Sequence, residues 1–157
     1  MHWLQKMKHQ INMEKFLSKG LGTPVGSLLL GETIFIKKAR RIRKVFGGGM
    51  RQAGFIAAAG IYALENNINR LAIDHHHAQL IAQALQQKDF VGEILPVETN
   101  IIIFEVKGRL SAKEFVANMK AHNILMFAMT EKQVRMVLHL DITEAMVQKT
   151  IEVINNL

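Results

Sequence analysis

Beyond Pro96 and Asn100 the hydrophobic period of the chain switches repeatedly, and that switching limits the possible folds more than any other feature. Ile101-Ile102-Ile103-Phe104-Glu105-Val106 is an apolar, β-branched run of strand length. Ser111 with Glu114 three residues on makes a capping box, in which each residue satisfies the other's free backbone N–H, so a helix opens there and runs to about Lys120. Ile124–Ala128 and Val134–Leu140 read as two further strands and Thr143–Ile154 as a closing helix. The order β-α-β-β-α predicts a small α+β unit over residues 96–157, because a sheet with one apolar face must bury that face under helices.

The remainder is less regular. Ser18-Lys19-Gly20-Leu21-Gly22-Thr23-Pro24-Val25-Gly26-Ser27 is loop chemistry, rich in residues that permit unusual backbone angles or close approach by a ligand. Leu28–Leu30 reads as a short buried strand. Thr33 is placed to cap a helix reaching about Phe46, with Phe35, Ala39, Ile42 and Phe46 on a dry face. Lys37, Lys38, Arg40, Arg41 and Lys44 make the rest of that helix strongly basic, and Gly47-Gly48-Gly49 ends it. Ala53–Leu64 is apolar nearly all round, which predicts a helix enclosed by protein. After Asn66-Asn67, a second helix is expected from about Ile68 to Lys88. The chain thus reads as α/β in three parts: 1–52, in which 1–15 is atypical, the linking helices of 53–95, and the unit of 96–157.

Composition removes several classes of function. With no Cys, neither a disulfide scaffold, a zinc ribbon nor thiol catalysis is available. No apolar run is long enough for a membrane span, and Lys6, Lys8, Glu14 and Lys15 interrupt any signal-peptide core, so a soluble cytoplasmic protein without membrane partners is expected. The net charge of +7 fits an anionic partner. Nucleic acid is not the expected one, since no aromatic residues alternate with the basic ones to form a stacking platform. His75-His76-His77 invites a metal reading, but neighbours on a helix point about 100° apart and cannot converge on one ion. His139 and Asp141 would share one face of a terminal strand without enough further ligands. No Gly-x-Ser-x-Gly elbow supports a serine hydrolase.

Three places are equipped for chemistry. Lys19, between Ser18 and Gly20-Leu21-Gly22, sits where a flat ligand can approach, and a lysine amine attacks an aldehyde when desolvation or a nearby cation lowers its pKa. Gly47-Gly48-Gly49-Met50-Arg51-Gln52 couples bare backbone N–H groups to a guanidinium, a combination suited to phosphate or carboxylate; it matches neither the P-loop nor the dinucleotide fingerprint. Arg135 lies in a mostly apolar strand, where an arginine must be edge-exposed, paired, or aimed at a ligand carboxylate.

Taken together, Leu17-Ser18-Lys19-Gly20-Leu21-Gly22-Thr23-Pro24-Val25-Gly26-Ser27, Arg40-Arg41-Ile42-Arg43-Lys44 running into Gly47-Gly48-Gly49-Met50-Arg51-Gln52-Ala53-Gly54, and Val134-Arg135-Met136-Val137-Leu138-His139-Leu140-Asp141 resemble the low-specificity L-threonine aldolases. Ala57-Ala58-Ala59-Gly60-Ile61-Tyr62-Ala63-Leu64 and Asp74-His75 fall between them. The resemblance runs from about Phe16 to the carboxy terminus and implies the carboxy-terminal part of an aspartate aminotransferase-like fold, with 1–52 a remnant of the cofactor-binding large domain and 96–157 the small domain. It implies pyridoxal phosphate as cofactor, with Lys19 the lysine that binds it covalently, Lys44 and Arg51 basic residues near it, and Arg135 the holder of the substrate α-carboxylate. The implied reaction is retro-aldol cleavage of a β-hydroxy-α-amino acid to glycine and an aldehyde. The implied partners are a small amino-acid substrate and either further copies of the chain or a separately encoded amino-terminal half. The family's Gly-Thr phosphate contacts, ring-stacking His, pyridine-nitrogen Asp and second carboxylate-binding Arg have no counterpart in these residues, Leu138 stands where Thr is usual, and the polar Asn12, Glu14 and Lys15 depart from the apolar approach to the lysine. Weak or absent activity is therefore expected of this chain alone.

Overall fold

The computed structural model describes residues 13–157, with side-chain surroundings from Leu17 onward; the expectation for the atypical start therefore falls mostly outside the described residues. The chain divides into two compact units, 1–68 and 69–157. In the first, β1 (Met13–Phe16) pairs antiparallel with β2 (Ser27–Leu30), Phe16 opposite Ser27 and Met13 opposite Leu30. Helices α1 (Thr33–Val45) and α2 (Gly54–Asn66) follow. In the second, α3 (Leu71–Gln86) precedes β3 (Val91–Ile94), β4 (Ile101–Val106), α4 (Ala112–Ala121), β5 (Phe127–Ala128), β6 (Gln133–Val137) and α5 (Glu144–Asn156).

The second unit is a two-layer α/β structure. Its strands run antiparallel in the order β3-β4-β6-β5. Alternation sends Ile102, Phe104 and Val106 of β4, and Val134 and Met136 of β6, to one face, where they are buried with Ile81 and Leu85 of α3, Phe115 and Met119 of α4, and Val147 and Ile154 of α5. Phe104 meets Phe115 edge to face at 5.6 Å between ring centres. All three helices contribute to that one core, so the opposite face, carrying Ile101, Ile103, Glu105, Gln133, Arg135 and Val137, has no helix of this unit on it. The compact unit begins at Asn69, whereas the sequence reading began the small domain at residue 96. Helix α3 lends Ala78, Ile81, Ala84 and Leu85 to the core, and β3, which the sequence reading left out, adds Val91 beside β4.

The capping box forms as expected. The Ser111 Oγ accepts from the Glu114 N–H at 3.2 Å, and the Glu114 carboxylate accepts from the Ser111 N–H at 2.8 Å. Those bonds to Ser111 backbone and side chain hold the Glu114 carboxyl below its ordinary pKa. A carboxyl depressed in the folded state contributes stability above its unfolded pKa and loses it as pH falls through the folded one. Acid unfolding of the 69–157 unit is therefore expected to begin at slightly lower pH in wild type than in Glu114→Gln, which lacks that contribution at every pH, as followed by circular dichroism. Coincident curves would show that the box carries no linkage.

The first unit departs from expectation in exposure. Leu29 of β2 is exposed and Leu28 and Leu30 only half-buried, so the strand is not buried. Helix α1 has no buried residue: Phe35 and Ala39 are half-covered, and Ile42 and Phe46 lie open. Its N-cap is Glu32, without a side-chain cap bond, rather than Thr33. Helix α2, expected to be enclosed, buries only Gly60 and Ala63 and leaves Phe55 85% exposed, with Ile61 and Tyr62 open too. Period and hydropathy identified an apolar face on α1 and a nearly all-apolar α2. What they do not encode is the layer that covers them, and the described residues of this unit supply little more than Leu17, whose methyl group would meet a Cβ at Gly60 at 3.1 Å.

Candidate functional site

Lys19 sits at the tip of the β1–β2 connection. The Gly22 N–H closes a turn onto the Lys19 carbonyl at 3.0 Å, and Thr23 and Gly26 tie back to Leu17, their N–H and C=O lying 3.2 and 3.0 Å from its backbone partners. Gly22 and Gly26 adopt φ of 73° and 127°, the left-handed side of the map where a Cβ is strained, which explains why this loop needs glycine there. Asn67, just after α2, donates its side-chain amide to the Leu21 carbonyl at 2.9 Å and pins the loop to the helix pair. The result is a fixed turn that presents Lys19 to solvent.

The glycine run is a second piece of the same unit. Gly47, at φ 82°, ends α1, and the Gly48 N–H donates to the Arg43 carbonyl at 2.8 Å, the long-range bond of a left-handed helix stop. Arg43 and Lys44 then fold over the bared backbone: a Cβ at Gly48 would lie 2.5 Å from Arg43 Cγ, and one at Gly49 2.8 Å from Lys44 Nζ. A cavity of about 490 Å³ opens there, lined by Arg43, Gly47, Gly48, Gly49, Met50 and Ala53. Two cations over side-chain-free backbone suit an anion of phosphate size. Neither Lys44 nor Arg51 lines the cavity: Lys44 lies over Gly49, and Arg51 is exposed in the following turn. Arg43 was not singled out from sequence, although it stands five residues before Gly48, the spacing of that helix-stop bond. Gly48→Ala is expected to destabilise the first unit by about 1–3 kcal/mol through overpacking, because Arg43 Cγ and carbonyl cannot retreat, whereas Gly49→Ala need only displace a mobile amine and should cost less. Denaturant unfolding of the two variants checks the order; equal losses would contradict it.

Arg135 belongs to the second unit. Strand β6 lies between β4 and β5, so the edge-strand reading of this arginine does not apply. Its side chain is half-buried on the helix-free face, directly opposite Ile103 on one side and Phe127 on the other, and among the described residues no carboxylate pairs with it. Lys19 and the glycine turn lie in one unit and Arg135 in the other, and each is fixed by its own unit's geometry.

Among the described residues no cluster of metal-binding side chains exists. His77 is buried with an unpartnered Nδ1, whereas His76 is exposed, as divergence around a helix requires. His139 and Asp141 lie past the end of β6 rather than along it, their side chains 3.3 Å apart, and the strand expected at Ile124–Ala128 shrinks to Phe127–Ala128. A buried ion pair went unnoticed in the sequence: Arg70 makes a two-bond fork to Asp74 at 2.9 and 3.0 Å, and a longer bond of 3.4 Å to the His139 carbonyl. The i, i+4 spacing was the available signal.

Against this geometry stand the known relatives. The chain is 48% identical over 127 residues to the low specificity L-threonine aldolase of Escherichia coli K12, a match covering 81% of this chain and 37% of that protein. A crystal structure described as an aromatic amino acid beta-eliminating lyase/threonine aldolase from Exiguobacterium sp. 255-15 superposes with a TM-score of 0.72 at 14% identity, over 92% of this chain and 44% of that one. A PLP-dependent aminotransferase from Streptococcus suis gives 0.65 at 14% identity, over 91% and 40%. The fold is accordingly that of a PLP-dependent transferase, of which this chain makes up a portion: it spans a little over a third of the length of the curated relative. Residues 14–109 match the family described as beta-eliminating lyase, and the chain belongs to that family.

Proposed function

We propose that this chain carries part of the active site of a pyridoxal-phosphate-dependent aldehyde-lyase that cleaves L-threonine, L-allo-threonine and similar β-hydroxy-α-amino acids to glycine and an aldehyde. The observation that carries the reading is the 48% identity to a low specificity L-threonine aldolase over four-fifths of the chain. The residues present fit the cofactor in pieces. Lys19 offers an exposed primary amine on a fixed turn, the group that would bind the cofactor aldehyde. Arg51, a guanidinium exposed in the turn after the glycine run, would contact the phosphate, with Lys44, over the bare backbone of Gly49, a further cation near the cofactor. When bound, the cofactor supplies an electron sink for the pair released as the Cα–Cβ bond breaks. Arg135, a rigid planar fork on the open sheet face, would grip the substrate α-carboxylate and so fix which bond at Cα is presented for cleavage.

A cofactor held by one lysine and one cationic turn dissociates readily, so the 157-residue chain by itself is expected to turn over threonine weakly or not at all. A second polypeptide, another copy of the chain or a separately encoded amino-terminal half, would complete the site. Glycine release from L-threonine by the pure chain with added pyridoxal phosphate should stay near background; robust cleavage would contradict this.

One observation favours a second reading, a noncatalytic chain that self-associates. Phe46 and Phe55 at 85% exposure, with Ile34, Val45, Ile61 and Tyr62, leave more open apolar surface on α1 and α2 than separate soluble molecules usually tolerate. Sedimentation velocity across a hundredfold concentration range should then show a monomer giving way to larger species. A single monomer boundary throughout would dispose of the second reading.

A further inference from the structure

The helix-free face of the four-stranded sheet has a chemical pattern of its own. Cross-strand register places Phe127 of β5 and Ile103 of β4 directly opposite Arg135 of β6, and directly opposed residues share a face with their Cβ atoms about 5 Å apart. Val137 and Ile101, the next pair along, extend the same face. The guanidinium therefore rises between an aromatic residue on one flank and a branched aliphatic one on the other, with the apolar pair Val137 and Ile101 to one side along the strands and the polar pair Gln133 and Glu105 to the other. Phe127 is 67% exposed, although its neighbours Met126 and Ala128 turn inward and pack on the core. A phenylalanine held open on a strand, beside an arginine with no ion-pair partner among the described residues, is arranged to meet a ligand that has both an anionic end and an apolar one.

We propose that Phe127 is the specificity-determining residue of the Arg135 subsite, and that the substrates favoured by this chain are β-hydroxy-α-amino acids with an aryl or bulky alkyl β-substituent rather than a methyl. The inference rests on the reading of Arg135 as the carboxylate holder. An α-carboxylate on the guanidinium leaves the β-substituent three bonds away, within reach of a ring that extends from a Cβ next to that of Arg135. Contact with Phe127 removes apolar surface of both partners from water, and a phenyl group offers far more such surface than a methyl. Ile103 closes the other flank and limits the directions the substituent can take.

The test uses the full chain without cofactor, so that it does not depend on turnover. Amide signals of β5 and β6 are followed by NMR during titration with 3-phenylserine and, separately, with L-threonine, which carry the same amine and carboxylate. The expected result is about tenfold tighter binding of 3-phenylserine, as burial of a ring against an exposed one implies. Phe127→Ala should bring the ratio close to one by weakening 3-phenylserine far more than threonine, Phe127→Leu should retain part of the preference, and Arg135→Met should abolish binding of both. Because Phe127 lies outside the core, loss of fold is not expected in its variants, and far-ultraviolet circular dichroism verifies it. A ratio near one in wild type, a ratio that survives Phe127→Ala, or no binding of either compound overturns the proposal. Cofactor labelling at Lys19 is independent of these outcomes: labelling together with a ratio of one leaves the lyase reading standing without a role for Phe127, and a tenfold ratio without labelling does the reverse.

Discussion

Arg70→Met is expected to lower the stability of the 69–157 unit by about 3–5 kcal/mol, the range for removing one partner of a buried ion pair. Asp74 has no exposed side-chain surface, and its only side-chain partner among the described residues is the guanidinium fork of Arg70. Without Arg70 a carboxylate is left in the protein interior, eased only by the positive end of the α3 helix dipole. The reverse change is predicted to be milder. Arg70 is 23% exposed, so in Asp74→Ala it can turn towards water, and a loss of about 1–3 kcal/mol follows. The double variant Arg70→Met/Asp74→Leu should recover most of the loss, since an apolar pair of similar volume avoids desolvating charge altogether. Urea unfolding monitored through the amide signals of β4 and β6 gives all three values. A loss under 1 kcal/mol in Arg70→Met, or a double variant no better than Arg70→Met, would show that the pair does not bear on stability.

Phe104→Ala is expected to cost about 3–5 kcal/mol, by lost transfer energy plus an unfilled cavity. Phe104 is fully buried at the centre of the sheet, opposite Val134 and edge-on to Phe115, which in turn lies 5.7 Å from Phe90. Three aromatic rings from β4, α4 and the turn before β3 thus meet in one layer. The surrounding side chains come from both sheet and helices and cannot close in together, so the cavity persists. Phe104→Leu should cost much less, because it keeps most of the volume. Equal losses in the two variants would mean that the layer relaxes around the gap and that ring packing is not what matters.

The core of the second unit was legible because its signals are local. The apolar, β-branched run of Ile101–Val106 and the Ser111–Glu114 pair each fix an element within a few residues, and both appear where expected. Strand β3 was missed because Val91-Gly92-Glu93-Ile94 is short and irregular: a Cβ at Gly92 would come within 2.9 Å of Glu105 Cβ, so its glycine marks a close strand contact that no single-strand pattern reveals. The Arg70–Asp74 fork had a visible i, i+4 spacing, but the bond that also ties Arg70 to the His139 carbonyl joins residues distant in sequence. In the first unit the elements were legible and their exposure was not. The apolar character of Phe46, Phe55 and Ile61 states that a covering layer is wanted without stating which chain supplies it. As for the site, Lys19, Arg51 and Arg135 stood out by residue type and setting, and Lys44 only through the family resemblance. Phe127 escaped notice, since a phenylalanine in an apolar strand reads as core until the register places it across from Arg135.

The central claim, that Lys19 is the cofactor lysine, is tested most directly by chemical trapping. The purified chain is titrated with pyridoxal phosphate while the visible absorption band of the lysine adduct is followed, then reduced with borohydride, digested and mapped by mass spectrometry, with Lys19→Ala in parallel. The account predicts one label per chain, confined to Lys19, and loss of the band in the variant. Labels scattered over many lysines, with the same yield from Lys19→Ala, would contradict it.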